Sequence, residues 1–302
     1  REALSGAGGE NATALGEAEG LCAVLRRPRR VMLMVPAGAP VDAVIETLVP
    51  HLQPGDVIID GGNSHFADTE RRLAGLAPRG VLFVGAGVSG GEEGARHGPS
   101  IMPGGSGEAW SVVESVLRPI AAVAHDGEPC CEWLGSGGVG HAVKTVHNGI
   151  EYGLMQLIAE AYDLLRAAGL GAPETAAVFQ SYNDGPLRSY LIELTAGLLL
   201  VRDGDSGVPL VDLVLDEAQQ KGTGRWTTEL SLAEAVPCPT LAEAVYARGL
   251  SARRGLRERL SSAGGAGGVR GGPDAEALEA SLHDALLAGF IASYAQGLDL
   301  IG

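Results

Sequence analysis

Lysine is the residue this sequence nearly lacks. Of 22 basic residues, 20 are Arg and only two, Lys144 and Lys221, are Lys. Arg stays protonated near neutral pH, whereas a desolvated Lys can give up its proton. Two lysines kept in an arginine-dominated chain are therefore candidates for proton chemistry; the alternative is codon bias with two chance survivors. Cysteine is scarce too, and Cys22, Cys130, Cys131 and Cys238 form no CxxC pair. Neither a disulfide framework nor a zinc site is expected, and the pattern fits a reducing, cytoplasmic setting. The seven His residues show no metal-ligand spacing. No apolar run is long enough to span a membrane, and no charged-then-apolar leader is visible. Arg1 in place of Met reads as a cut or incomplete N-terminus, and the sequon at Asn11 reads as chance. A net charge of −15 argues against nucleic acid and anionic membrane as partners. It leaves room for a small anionic ligand held by a few local cations.

The 302 residues suffice for two domains. After a short amphipathic helix near residues 17–27, strands and helices alternate. "VMLMVPAG" (31–38), "DVIIDGGNS" (56–64) and "VLFVGAGVSGG" (81–91) read as strands running into glycine turns. Residues 41–52, 68–77 and 107–121 carry helical periodicity. Such alternation with short links implies parallel βαβ units. From about residue 138 the pattern becomes helical throughout, with helices expected at 141–169, 174–183, 187–200, 210–220, 240–260 and 275–301. "AGGAGGVRGGPD" (263–274) reads as a glycine-rich linker. The expected fold class is α/β plus all-α. An incomplete Rossmann-like, doubly wound parallel sheet (residues 1–137) precedes a large helical domain (138–302). Ligands of such sheets bind beyond the carboxyl ends of the strands, which is where "PAG", "GGNS" and "GVSGG" fall.

"GAGVSG" (85–90) literally matches GxGxxG, but a dinucleotide fingerprint must open a helix. The segment that follows carries Pro99 and Pro103 and has no helical apolar period. It also follows the third visible strand rather than the first. These glycines are therefore read as a backbone cradle that admits a polar ligand, or else as a plain tight turn.

"VKTVHNGIEYG" (143–153) is more informative. As a helix it aligns Lys144, His147, Asn148, Glu151 and Tyr152 on one face. Lys144 and Glu151 stand about 10.5 Å apart along the axis, so their side chains can reach opposite ends of a small substrate. A lysine base and a glutamic acid proton donor form a workable pair if burial tunes both toward neutral pH. The alternative is a solvated face or a buried polar layer. Gly149 and Gly153 each cost about 1 kcal/mol against Ala in a helix, which implies that something approaches the backbone closely. "QKGTGRWT" (220–227) and Arg248 together could hold a phosphate.

"DGGNS", "GVSGGEEGARHGPSIMPGG", "GEPCCEWLG", "GHAVKTVHNGIEYG", "QKGTGRWT" and "EAVYARGLS" occur in that order. From about residue 29 onward the chain closely resembles the decarboxylating 6-phosphogluconate dehydrogenases. The resemblance implies a Rossmann domain followed by a helical domain that dimerises. It implies oxidative decarboxylation of 6-phosphogluconate to ribulose 5-phosphate and carbon dioxide, with hydride passing to NADP (NAD being possible) and no metal, in the pentose phosphate pathway. On the family pattern Lys144 is the general base and Glu151 the acid that protonates C1 of the enediol. Asn63, Ser89, Gly90, Gly91, His147, Asn148 and Tyr152 match positions that hold the sugar acid. Lys221, Thr223 and Arg248 match phosphate-binding positions, and Val35, Pro36, Ala37 and Asn63 match the cofactor-side turns.

Departures from the family pattern are visible. The N-terminal fingerprint, the ribose-binding turn and the C-terminal extension are not seen, so the chain reads as a clipped long-type member. Leu154 replaces the usual Asp and Gln219 the usual Gly. Two other readings are an inactive relative that only binds sugar phosphate and a dehydrogenase of a smaller β-hydroxyacid.

Overall fold

The computed structural model describes residues 13, 15–220, 222–263 and 275–302. Lys221, Asn11 and nearly all of the glycine-rich stretch from residue 263 lie outside them. The chain divides into two compact units, Arg1–Thr145 and Val146–Gly302.

The first unit is built on a four-stranded sheet in the order β1 (Arg30–Leu33), β2 (Val57–Asp60), β3 (Leu82–Ser89), β4 (Ser100–Gly105). The first three strands are parallel, as the alternating pattern predicts. β4 is antiparallel to β3, so the sheet is mixed, and this strand is a correction to the sequence reading. Its Pro103 and two glycines read as breakers. Proline is tolerated because β4 is an edge strand in the described sheet. Strand order runs without reversal, so the described strands contain no switch point.

Both faces of the sheet are covered. Val31, Leu33, Ile58 and Phe83 pack with Val41, Ile45 and Leu48 of α2 (Ala39–Leu48) and Leu76 of α3 (Phe66–Leu76). Cys22 of α1 (Ala18–Val24) joins that cluster. Val57, Ile59, Val84, Ala86 and Ile101 pack instead with Ala109, Val113 and Leu117 of α5 (Gly107–Leu117). The alternation along β2 and β3 makes each strand feed both layers. A second correction concerns the segment after "GAGVSG", which forms the seven-residue helix α4 (Gly91–His97). Its surface pairs, Arg96–Glu92 and His97–Glu93, hold four-residue spacing where apolar periodicity is missing.

Helix α6 (Val139–Ala167) starts in the first unit and runs through the second. Val146, Ile150, Leu154, Ile158, Ala161 and Leu165 form its core stripe. That core is completed by α7 (Ala172–Asn183), α8 (Tyr190–Leu200), α10 (Pro239–Ser251) and α12 (Ala275–Ile301). Two helices depart from expectation. Residues 210–220 form only a 3-10 turn, Leu210–Asp212: Val211 packs against the core, but Leu213, Val214 and Leu215 are exposed, which leaves too little buried apolar surface to hold a helix. Residues 240–260 divide into α10 and α11 (Arg254–Ala263), the latter burying no residue. Helix α9 (Thr223–Ala233) was hidden in the sequence by its opening Gly-Thr-Gly.

Candidate active site

Two turns leave the carboxyl ends of β1 and β2. The first carries Val35, Pro36 and Ala37; the second carries Asn63. They abut, since a Cβ on Gly62 would lie 3.0 Å from the Val35 carbonyl oxygen. Their geometry is pinned from below by Arg72 of α3, whose side chain is 2% exposed. Arg72 Nε donates to Asp42 Oδ1 (2.8 Å), Nη2 to the Gly38 carbonyl (3.0 Å), and Nη1 to Asp60 Oδ2 and Ser64 Oγ (3.3 Å each). Asp60 in turn accepts from Ser64 Oγ at 2.6 Å and Gly62 N at 3.1 Å. A buried guanidinium with every face occupied thus ties both turns to one point. Arg72 holds the Asp42 carboxyl below its usual range, chiefly through the hydrogen bond between them. Above the turns, Pro36, Ala37 and Asn63 are exposed and Val35 is half-buried.

The start of α6 lies directly on β3 and β4. Gly85 and Gly104 are cross-strand partners, and any Cβ on Gly104 would come within 2.5 Å of Gly140 N. A Cβ on Gly140 would collide with the Gly85 and Met102 carbonyls. Glu70 Oε1 accepts from Gly138 N at 2.7 Å, satisfying one of the open N–H groups at the helix start. Lys144, one turn further, is 7% exposed. Ser89, Gly90 and Gly91 follow at the end of β3, with Ser89 half-buried and the glycines exposed. Gly90 and Gly91 take φ values of 141° and 60°, in the region that favours glycine.

His141 is a residue that sequence reading missed. Its side chain is buried, and Nδ1 lies 2.7 Å from Thr69 Oγ1 of α3. Burial pushes the imidazole below its ordinary value, which keeps the ring neutral. The available signal was a polar residue one turn before Lys144. Arg72 had a comparable signal: it shares the buried face of α3 with Thr69 and Leu76.

In the second unit Asn148 and Tyr152 of α6 meet the α9 start, at Thr223 and Gly224. His147, Asn148, Glu151 and Tyr152 are all half-buried, beside the core stripe of α6. Asn148 Nδ2 donates to Thr223 Oγ1 at 3.1 Å, and His147 Nδ1 lies 3.3 Å from Asn148 Oδ1. The Arg248 guanidinium stacks over the Tyr152 ring, 3.8 Å from its centroid, and donates to the Gln219 carbonyl at 2.7 Å. The two helix glycines are explained by neighbouring helices. A Cβ on Gly149 would meet Thr227 of α9 at 2.5 Å, and one on Gly153 would meet Ser293 of α12 at 2.9 Å. Leu154, at the position where the resemblance leads one to expect Asp, is 5% exposed in the helical core. Among the described residues, no group of three or more His, Cys, Asp or Glu side chains is arranged to hold a metal. No helix among them is long and apolar enough to cross a membrane.

Comparison with known proteins bears on this geometry. Residues 2–135 match the NAD binding domain of 6-phosphogluconate dehydrogenase, and residues 140–302 match the 6-phosphogluconate dehydrogenase C-terminal domain. The chain belongs to the 6-phosphogluconate dehydrogenase family. The match starts well ahead of residue 29, where the motif resemblance begins. Among family members, the decarboxylating 6-phosphogluconate dehydrogenase of Cunninghamella elegans is 51% identical over 301 residues, covering 97% of this chain and 61% of its own length. That of Haemophilus influenzae is 49% identical over 302 residues, covering 99% and 62%. The Plasmodium falciparum 6-phosphogluconate dehydrogenase, described in its apo form and in complex with its cofactor NADP+ and its substrate 6-phosphogluconate, superposes with a TM-score of 0.92 at 39% identity. That superposition covers 99% of this chain and 65% of the Plasmodium chain. The chain thus spans about three fifths of the length of the curated relatives it matches.

Proposed function

We propose that this chain serves the oxidative decarboxylation of 6-phosphogluconate to ribulose 5-phosphate and carbon dioxide in the pentose phosphate pathway. The observation that carries the reading is α6. It presents Lys144, buried, and then His147, Asn148, Glu151 and Tyr152, half-buried, in the order that the family motif prescribes. Bound NADP supplies the hydride acceptor for C3 of the substrate. Lys144 takes the proton of the C3 hydroxyl as the hydride leaves. It returns a proton to the same oxygen when the C1 carboxylate departs as carbon dioxide. Glu151 then delivers a proton to C1 of the enediol, completing ribulose 5-phosphate. Asn63, Ser89, Gly90, Gly91, His147, Asn148 and Tyr152 hold the sugar acid. Thr223, Arg248 and Lys221 take its phosphate, and the Arg248 guanidinium suits an anion because it is fixed by Tyr152 and the Gln219 carbonyl.

The cofactor-side turns fit one end of the cofactor. Residues 34–38 and 61–64 contain no Lys or Arg, and Met34 is 64% exposed. Val35, Pro36, Ala37 and the Asn63 amide suit an uncharged ring with a carboxamide rather than a phosphate. The preference for NADP over NAD follows the family. The chain acts in the cytoplasm as a homodimer. Exposed stripes on α12 (Ile291, Tyr294, Leu298, Ile301) and α8 (Tyr190, Leu194, Leu198) support self-association. Sedimentation should give a dimeric mass, and a monomer at all concentrations would remove that part. The reaction is tested with Glu151→Gln: steady-state formation of ribulose 5-phosphate should fall at least tenfold while the Kd for 6-phosphogluconate changes less than threefold, about 0.65 kcal/mol. A defect confined to binding would contradict the acid assignment.

A further inference from the structure

Within the literal GxGxxG at residues 85–90, Ser89 and Gly90 enter the proposed chemistry but the first two glycines, Gly85 and Gly87, do not, and both are buried. Gly85 and Gly87 are two apart on a strand, so they face the same side of the sheet. Each faces one side chain of α6. A Cβ on Gly85 would lie 2.8 Å from His141 Nδ1 and 2.7 Å from Thr69 Cγ2. A Cβ on Gly87 would collide with the Cβ of Lys144, lie 2.8 Å from its Cγ and 3.0 Å from the Gly140 carbonyl. Neither glycine has a positive φ, so alanine is excluded here by space and not by backbone strain. At Gly85 and Gly87 the expected cradle for a ligand is occupied by the protein's own helix.

We propose that Gly87 is a positioning residue for Lys144: its missing side chain is the slot in which the lysine stem lies, setting where the ammonium end is held. This rests on Lys144 acting as the base. Gly85 provides the matching slot for His141, which the Thr69 hydroxyl holds one turn earlier on the same helix. The two slots fix the direction in which the first turns of α6 present His141 and Lys144.

Having only two lysines makes the test direct. The chain is produced with lysine isotopically labelled at Cε and titrated by NMR, Lys221→Arg assigning the two resonances. Gly87→Ala is compared with Gly75→Ala, where an added Cβ meets nothing within 4 Å. Gly87→Ala should move the Lys144 resonance and its titration midpoint, and should lower kcat about a hundredfold with KM for 6-phosphogluconate changed less than threefold. Gly75→Ala should do neither. An unmoved Lys144 resonance in folded Gly87→Ala overturns the proposal. Loss of turnover in the parent chain would overturn the enzymatic reading alone, since the NMR comparison needs no turnover. If Gly87→Ala does not fold, Lys144→Gly in the same chain should restore folding. A double variant that also fails to fold shows that Lys144 is not what the glycine accommodates, and overturns the proposal too.

Discussion

Arg72 and Arg248 are the same residue put to opposite uses. Arg72 is enclosed in the first unit, and its guanidinium is spent on Asp42, Asp60, Ser64 and the Gly38 carbonyl. Arg248, in the second unit, is half-buried and, among the described residues, oriented by a ring face and one carbonyl, with a long contact to Met155 Sδ besides. A cation whose donors are consumed internally shapes the fold. A cation held in place without being neutralised by a carboxylate can meet an anion. The motif reading singled out Arg248 and passed over Arg72 because sequence shows residue types but not which carboxylates surround them.

Four substitutions separate these uses. Arg72→Ala should destabilise the first unit by about 3–5 kcal/mol, because it leaves Asp60 buried without its counter-charge. Chemical denaturation measures it, and a loss near that of a surface site would end the distinction. Arg248→Ala should weaken 6-phosphogluconate binding by about 1.5–3 kcal/mol, the range for hydrogen bonds to charged groups, with little change in melting temperature. Calorimetric titration checks this, and unchanged affinity would point toward a smaller β-hydroxyacid. Tyr152→Leu should retain part of that affinity, losing about 0.5–2 kcal/mol as the stacked orientation of Arg248 is released. The smallest effect concerns His141. Its folded value is depressed by burial, so the unfolded chain takes up the proton first as pH falls through about 6.5. The stability it contributes is complete above that pH and is lost below it. Melting temperature should therefore decline from pH 7 to pH 5, and His141→Asn should flatten that slope while keeping a partner for Thr69.

Much of the architecture was legible where periodicity and burial agree. β1 to β3 stand where apolar runs meet glycine turns, and α6 shows its core stripe and polar stripe side by side. β4 was not legible because Pro103 and its glycines answer to tertiary demands: an edge position and the approach of Gly140. Residues 210–220 misled for the converse reason, since local periodicity there has little buried surface to support it. In the site, the residue types and their order were readable, as was the need for close approach at Gly149 and Gly153. The partners were not: Thr227 and Ser293 occupy those approaches, and α6 itself occupies the β3 cradle. Periodicity reports which face is buried, while the neighbour across that face belongs to the three-dimensional fold.

The central claim is that α6 carries the base of the reaction at Lys144. The most direct measurement is the rate of NADPH formation from 6-phosphogluconate by the chain and by Lys144→Arg, with circular dichroism on both. Arg keeps the charge and the bulk but cannot act as base. The account predicts turnover by the chain and its loss by at least a thousandfold, about 4 kcal/mol of barrier, in a folded variant. A folded Lys144→Arg that turns over at a comparable rate would contradict it.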